Sequence, residues 1–145
     1  MLDRAWIAAH IPHQGGMCLL DAVTDWSAER IRCTSASHGR MDNPLRDGGQ
    51  LGVACGIEYA AQAMAVHGAL IAGDGAPPRQ GFLASVRGVE FKVDRLDDIV
   101  GELDIEAERL SGDDNSVLYR FAVRGGDRVL LAGRAAVILD AEALK

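Results

Sequence analysis

The stretch from Val53 to Ala72, VACGIEYAAQAMAVHGALIA, runs for 20 residues without a Lys, Arg or Asp. As a helix it is long enough to cross a bilayer. It also carries Glu58, Gln62 and His67, and it is rich in Ala and Gly instead of Leu and Phe. An ionised Glu near the centre of a membrane is costly. The stretch therefore reads as a helix buried inside a globular protein. A helix that is apolar nearly all round needs cover on every side, and that demand constrains the rest of the chain.

The flanking sequence supplies the cover as strands. Residues 18–26 (CLLDAVTDW) and 30–37 (RIRCTSAS) read as two strands before the helix, with Ile31, Cys33 and Ser35 alternating with Arg30, Arg32 and Thr34. Residues 38–50 form a polar loop broken by Gly39, Pro44, Gly48 and Gly49. Beyond the helix, Gly73 is a natural C′ residue and Pro77-Pro78 forbids continuation. Residues 82–92, 101–110, 116–124 and 128–139 then read as strands, the second showing Leu103, Ile105 and Ala107 against Asp104, Glu106 and Glu108. Short turns at 111–115 and 125–127 predict that these last four strands form an antiparallel meander. Residues 3–9 predict a short amphipathic helix. The expected architecture is α+β: a single domain over 1–145, in which an antiparallel sheet of about six strands wraps one long central helix. Such a sheet leaves an edge that dimerisation covers.

Charge and cysteine content narrow the function. The 145 residues carry a net charge of −6 with no Lys/Arg cluster, which argues against nucleic-acid and anionic-membrane partners. Cys18, Cys33 and Cys55 are odd in number and match no zinc or redox spacing, so free thiols in a reducing, cytoplasmic setting are expected. The N-terminal residues lack the apolar run of a signal peptide. Neither phosphate-binding glycine fingerprints nor a Gly-x-Ser-x-Gly element is present. No metal and no cofactor are expected.

Glu58 is the first candidate for chemistry. Its helix neighbours are Ala54, Cys55, Ala61 and Gln62, with no cation within reach on the same helix. Desolvation moves a carboxyl group toward the range useful for acid–base work. The competing reading is a solvated stripe or a structural hydrogen bond. His13, in Ile11-Pro12-His13-Gln14-Gly15-Gly16-Met17, is the second candidate, able to exchange a proton near neutral pH or simply to pack. His10, His38 and His67 are weaker, and His67 lies 2.5 helical turns beyond Glu58, on the opposite side. Gly48 and Gly49, before the helix, either let a substrate approach free N–H groups or form a plain turn.

Three segments together resemble a known family. Ile11-Pro12-His13-Gln14-Gly15-Gly16-Met17-Cys18-Leu19-Leu20-Asp21-Ala22-Val23 is similar to the opening Leu-Pro-His-Arg-x-Pro-x-Leu-Leu-x-Asp-x-Val of 3-hydroxyacyl-(acyl-carrier-protein) dehydratases. Gly56-Ile57-Glu58-Tyr59-Ala60-Ala61-Gln62-Ala63 resembles their helix motif Ile-Glu-Ala-Met-Ala-Gln. Val86 to Lys92, followed by Gly101-Glu102-Leu103, resembles their strand pair. The resemblance implies the hot-dog fold, a homodimer with sites at the interface, an acyl thioester of carrier protein or coenzyme A as substrate, and Glu58 as the helix glutamate. The family's loop histidine, in Gly-His-Phe-Pro-Gly, has no match in Asn43-Pro44-Leu45-Arg46-Asp47-Gly48-Gly49. A divergent branch from aryl-polyene clusters also resembles the chain and lacks that histidine. His13 is then the replacement partner of Glu58, and Gly48, Gly49, Gln62, Arg87 and Lys92 are the substrate-binding candidates. Arg87, Lys92 and Arg95 would make the tunnel mouth locally basic. The rival expectations are a hot-dog thioesterase and a non-catalytic acyl-binding subunit that pairs with an active homologue.

Overall fold

A computed structural model describes residues 1–11, 15–73, 82–113 and 115–138. The chain opens with a two-residue strand, β1 (Leu2–Asp3), and a short helix, α1 (Arg4–His10), whose first turn is capped by the Asp3 carboxylate accepting from the Trp6 N–H. Strands β2 (Ala22–Trp26) and β3 (Arg30–Ser35) follow. The long helix α2 spans Gly56–Ala72 and is entered through a 3₁₀ turn at Val53–Cys55. Strands β4 (Phe82–Phe91), β5 (Leu103–Gly112), β6 (Ser116–Gly125) and β7 (Arg128–Ile138) complete the fold.

All seven strands join one antiparallel sheet in the order β1-β2-β3-β5-β6-β7-β4. Period-two alternation puts Ile31 and Cys33 of β3, Leu103, Ile105 and Ala107 of β5, and Val117, Tyr119, Phe121 and Val123 of β6 on the buried face. Against them α2 buries Tyr59, Ala60, Ala63, Met64, Val66 and His67. Glycine is required at the helix entrance, since a Cβ on Gly56 would stand 2.5 Å from Cδ2 of the fully buried Leu131. At the far end Gly73 adopts φ 80° and its N–H closes on the Ala69 carbonyl, the stop the sequence predicts.

Two expectations need correction. The last four strands are not one meander: β5, β6 and β7 are, whereas β4 pairs with β7 at the far edge of the sheet. The segment after β4 is diverted to the residues before α2, where Leu96 N–H donates to the Leu51 carbonyl and the Asp97 carboxylate accepts from the Leu51 N–H. Similarly, residues 18–20 are buried but lie outside the ladder, so β2 starts only at Ala22. Side chains have taken the Leu19 backbone groups that a neighbouring strand would use.

Candidate functional site

Glu58 lies in the first turn of α2, half-buried, on the flank that continues through Ile57, Ala61 and Ala65. The sheet covers the opposite flank of the helix completely, whereas this one is only partly covered within a single chain. One turn further on, and so on the same face, stands Gln62. It is fully buried, and both ends of its amide are engaged. Nε2 donates to the Met17 carbonyl at 2.7 Å, and Oε1 accepts from the Leu19 N–H at 2.9 Å. The segment after the Pro-His element is thereby tied to the helix face that carries Glu58. His13 itself lies outside the described residues.

A second set of hydrogen bonds reinforces this tie. The hydroxyls of Ser35 and Ser37 both donate to the Leu19 carbonyl. Ser37 Oγ lies 2.8 Å from the phenol of Tyr59, the residue after Glu58. The Asn43 amide donates to that phenol at 3.1 Å and to the Ser37 carbonyl at 2.9 Å. Burial raises the Tyr59 pKa above its ordinary value, opposed by its hydrogen bonds with Ser37 and Asn43; the phenol donates to Ser37, whose own proton goes to the Leu19 carbonyl. Every polar group in this network is buried and paired, which makes it rigid. The sequence gives no local sign of it, because Gln62 and its partners are 43 and 45 residues apart.

The other candidates lie on other elements. Gly48 and Gly49 form the tip of a tight turn in which Asp47 and Gln50 exchange both backbone hydrogen bonds, with φ of 61° and 79°. That turn requires glycine on conformational grounds alone. Arg87 sits on the face of β4 turned away from α2, in register with Arg134. Lys92 is paired with Glu90 at 2.9 Å, and Arg95 with Asp97 through Nε at 3.0 Å. The open groove of about 550 Å³ beside them is lined by Lys92, Arg95 and Arg128 together with Asp94 and Asp98. The acids paired with Lys92 and Arg95 lie two residues away in sequence and are legible there.

Deeper in, His67 bridges the helix and the sheet. Its Nε2 lies 2.8 Å from the Ser27 carbonyl and its Nδ1 lies 2.8 Å from the Tyr119 hydroxyl. A carbonyl can only accept, so Nε2 carries the proton and Nδ1 accepts from Tyr119. Burial lowers the His67 pKa and pushes that of Tyr119 up to about 12. Burial pushes the free Cys33 thiol up to about 12 and raises Cys18 and Cys55 as well, which favours the protonated thiol over the thiolate. Among the described residues no three His, Cys, Asp or Glu side chains gather as a metal would require, and no helix is long and apolar enough to cross a membrane.

Comparison with known proteins decides the family. The model of the ApeP-like family, described as ApeP dehydratase, matches residues 5–144. The chain belongs to the ApeP-like dehydratase family. It is accordingly a dehydratase, a lyase. No curated protein matches the chain. Among solved structures, this ApeP-like chain is similar to a chain of the dehydratase heterocomplex ApeI:P from Xenorhabdus doucetiae, with 22% identity, a TM-score of 0.83, and coverage of 94% of this chain and 92% of that one. A mutant thioesterase from Pseudomonas aeruginosa aligns with a TM-score of 0.66 at 12% identity, covering 95% and 94% of the two chains. A thioesterase from Haemophilus influenzae aligns at 0.57 and 12%, covering 80% and 75%. These likenesses establish the hot-dog fold of the ApeP-like chain.

Proposed function

We propose that this ApeP-like protein removes water from a 3-hydroxyacyl thioester carried by acyl carrier protein or coenzyme A, in polyene-type or fatty acid biosynthesis. A base takes the C2 proton, the C3–O bond breaks, and an acid delivers a proton to the departing hydroxyl, leaving an enoyl thioester and water. The reaction is redox-neutral and needs only proton transfer, so Glu58 and His13 divide the work without a cofactor. Backbone N–H groups near the start of α2 would hold the thioester carbonyl. The observation that carries this reading is the double hydrogen bond of Gln62. It holds Met17 and Leu19 against the helix one turn from Glu58, and Met17 is only four residues from His13, a span of at most about 14 Å. Gln62 acts in this reading by placing that segment.

The working unit is at least a dimer of hot-dog domains, each spanning residues 1–145, in the cytoplasm. The half-covered flank of α2 around Ile57, Ala61 and Ala65 and the ten-residue edge strand β4 both call for a second subunit. The partner is a second copy or a homologous subunit; the ApeI:P dehydratase is a heterocomplex. One observation favours a subunit that relies on its partner for activity. The stretch 43–49 holds no histidine, and Asn43 there is spent on Ser37 and Tyr59.

The test is the product formed from a 3-hydroxyacyl thioester, with the protein alone and mixed with a homologous hot-dog subunit. Dehydration yields an absorbing enoyl thioester in one or both samples. Release of free thiol instead indicates a thioesterase, and neither product in either sample indicates an acyl-binding subunit; both results reject the proposal.

A further inference from the structure

Residues 15–20 lead into β2 without joining the ladder of any strand among the described residues. Buried backbone still needs hydrogen-bond partners, and here side chains provide them. Gln62 holds the Met17 carbonyl and the Leu19 N–H, and Ser35 and Ser37 hold the Leu19 carbonyl. Those contacts fix the middle of the segment. Its two ends are held by one residue of α1. Arg4 Nη2 donates to the Gly15 carbonyl at 2.9 Å, and Arg4 Nη1 stands 4.0 Å from the Asp21 carboxylate.

The surrounding chain explains why Arg4 reaches both. Strand β1 pairs with β2 through Leu2 with Val23 and Asp3 with Ala22, which sets the start of α1 beside Asp21. Ile7, one turn on from Arg4 and so on the same side of the helix, is fully buried and fixes the rotation of α1. The two anchors are themselves held. The Gly15 carbonyl also accepts from the Cys18 N–H at 3.1 Å, closing a 3₁₀ turn that Gly15 enters at φ 58°. The Asp21 carboxylate accepts from the Ala36 N–H at 2.6 Å, and the Asp21 N–H donates to the Thr34 carbonyl at 2.9 Å. A guanidinium carries its donors on a rigid fork, so one side chain serves a carbonyl and a carboxylate at once, which the point charge of a lysine does not. A cation also makes a stronger bond to a carbonyl than a neutral donor does.

We propose that Arg4 is a positioning residue for the reaction at Glu58. With Gln62 it clamps residues 15–21 at the ends and in the middle, so that the segment lying against the Glu58 face of α2 keeps one position. Gly15, the residue that Arg4 holds, follows His13 by two positions. This role rests on the dehydratase reading of Glu58 and His13, and Arg4 itself exchanges no proton with the substrate.

The test is Arg4→Met, which keeps the aliphatic stem and removes the fork. Amide hydrogen exchange is followed on the full-length protein. Turnover of a 3-hydroxyacyl thioester is measured per folded molecule, with the homologous subunit present if the wild type needs it. Exchange of the Cys18 and Leu19 N–H groups should quicken about tenfold while β5 and β6 exchange as in the wild type. The kcat should fall by about ten- to a hundredfold, as displacement of a positioned group does, with KM within about threefold of the wild type. Unchanged exchange at Cys18 and Leu19 would overturn the clamp, whatever the wild type catalyses. Faster exchange with an unchanged kcat per folded molecule would show a contact that only stabilises the fold, and would overturn the positioning role. A wild type that forms no enoyl thioester, alone or with the homologous subunit, rejects the dehydratase reading itself and the positioning role with it.

Discussion

His67 should make the stability of this protein depend on pH in a way that can be isolated. Its ring is fully buried and neutral, donating through Nε2 to the Ser27 carbonyl and accepting at Nδ1 from Tyr119. Protonation turns Nδ1 into a donor facing a phenol whose own pKa is about 12 and which therefore keeps its proton. Burial is the main cause of the lowered His67 pKa; the Ser27 carbonyl and Glu29 oppose it, and Arg109 adds to it. A histidine whose pKa is lower folded than unfolded contributes its full stabilisation above the unfolded value, about 6.5, and loses it as pH falls toward the folded value. One group can contribute at most about 1.4 kcal/mol per pH unit. Denaturant melts of the wild type should therefore lose up to about 1 kcal/mol between pH 7 and pH 5.5 beyond the loss seen in His67→Leu, or up to about 3 °C in Tm. Carboxylates common to both proteins cancel in that difference. Tyr119→Phe, which keeps the histidine but removes the opposing donor, should be less stable at pH 8 and show a flatter dependence. Parallel pH curves for the wild type and His67→Leu would refute the reasoning.

Two further substitutions probe the packing around the site. Gly56→Ala forces a methyl group onto Leu131 and should cost about 1–3 kcal/mol in a denaturant melt. Combining it with Leu131→Val should cost less than the sum of the two single changes. Gln62→Met keeps the volume but leaves the Leu19 N–H and the Met17 carbonyl without their partner, at about 1–3 kcal/mol. It should also lower turnover per folded molecule, measured as kcat on protein whose folded fraction is known from circular dichroism.

The local patterns of this sequence carry most of the secondary structure. The cation-free run gives α2, Gly73 gives its end, and the alternation of Leu103, Ile105 and Ala107 gives the buried face of β5. What they do not carry is the place of β4, because strand order depends on where the segment 92–102 is led and not on any residue of the strand itself. The tie of that segment to Leu51, through Leu96 and Asp97, joins residues more than 40 positions apart. The site divides in the same manner. Glu58 stands out in the sequence as an acid with no Lys or Arg within reach on its own helix, and Gln62 and His67 as polar residues in an apolar helix. Their partners, Met17 with Leu19 and Tyr119 with Ser27, come from other elements and leave no periodic trace. The pairing of Lys92 with Glu90 and of Arg95 with Asp97, by contrast, joins residues two apart and is legible in the sequence.

Glu58→Gln tests the central claim most directly, because it retains the shape and hydrogen bonding of the side chain while removing its exchangeable proton. Turnover of a 3-hydroxyacyl thioester and the melting temperature are measured on one preparation, with the homologous subunit present if the wild type needs it. If Glu58 is the acid or base, turnover falls by roughly two to four orders of magnitude while the melting temperature holds or rises. Wild-type turnover in a well-folded Glu58→Gln protein would contradict the account.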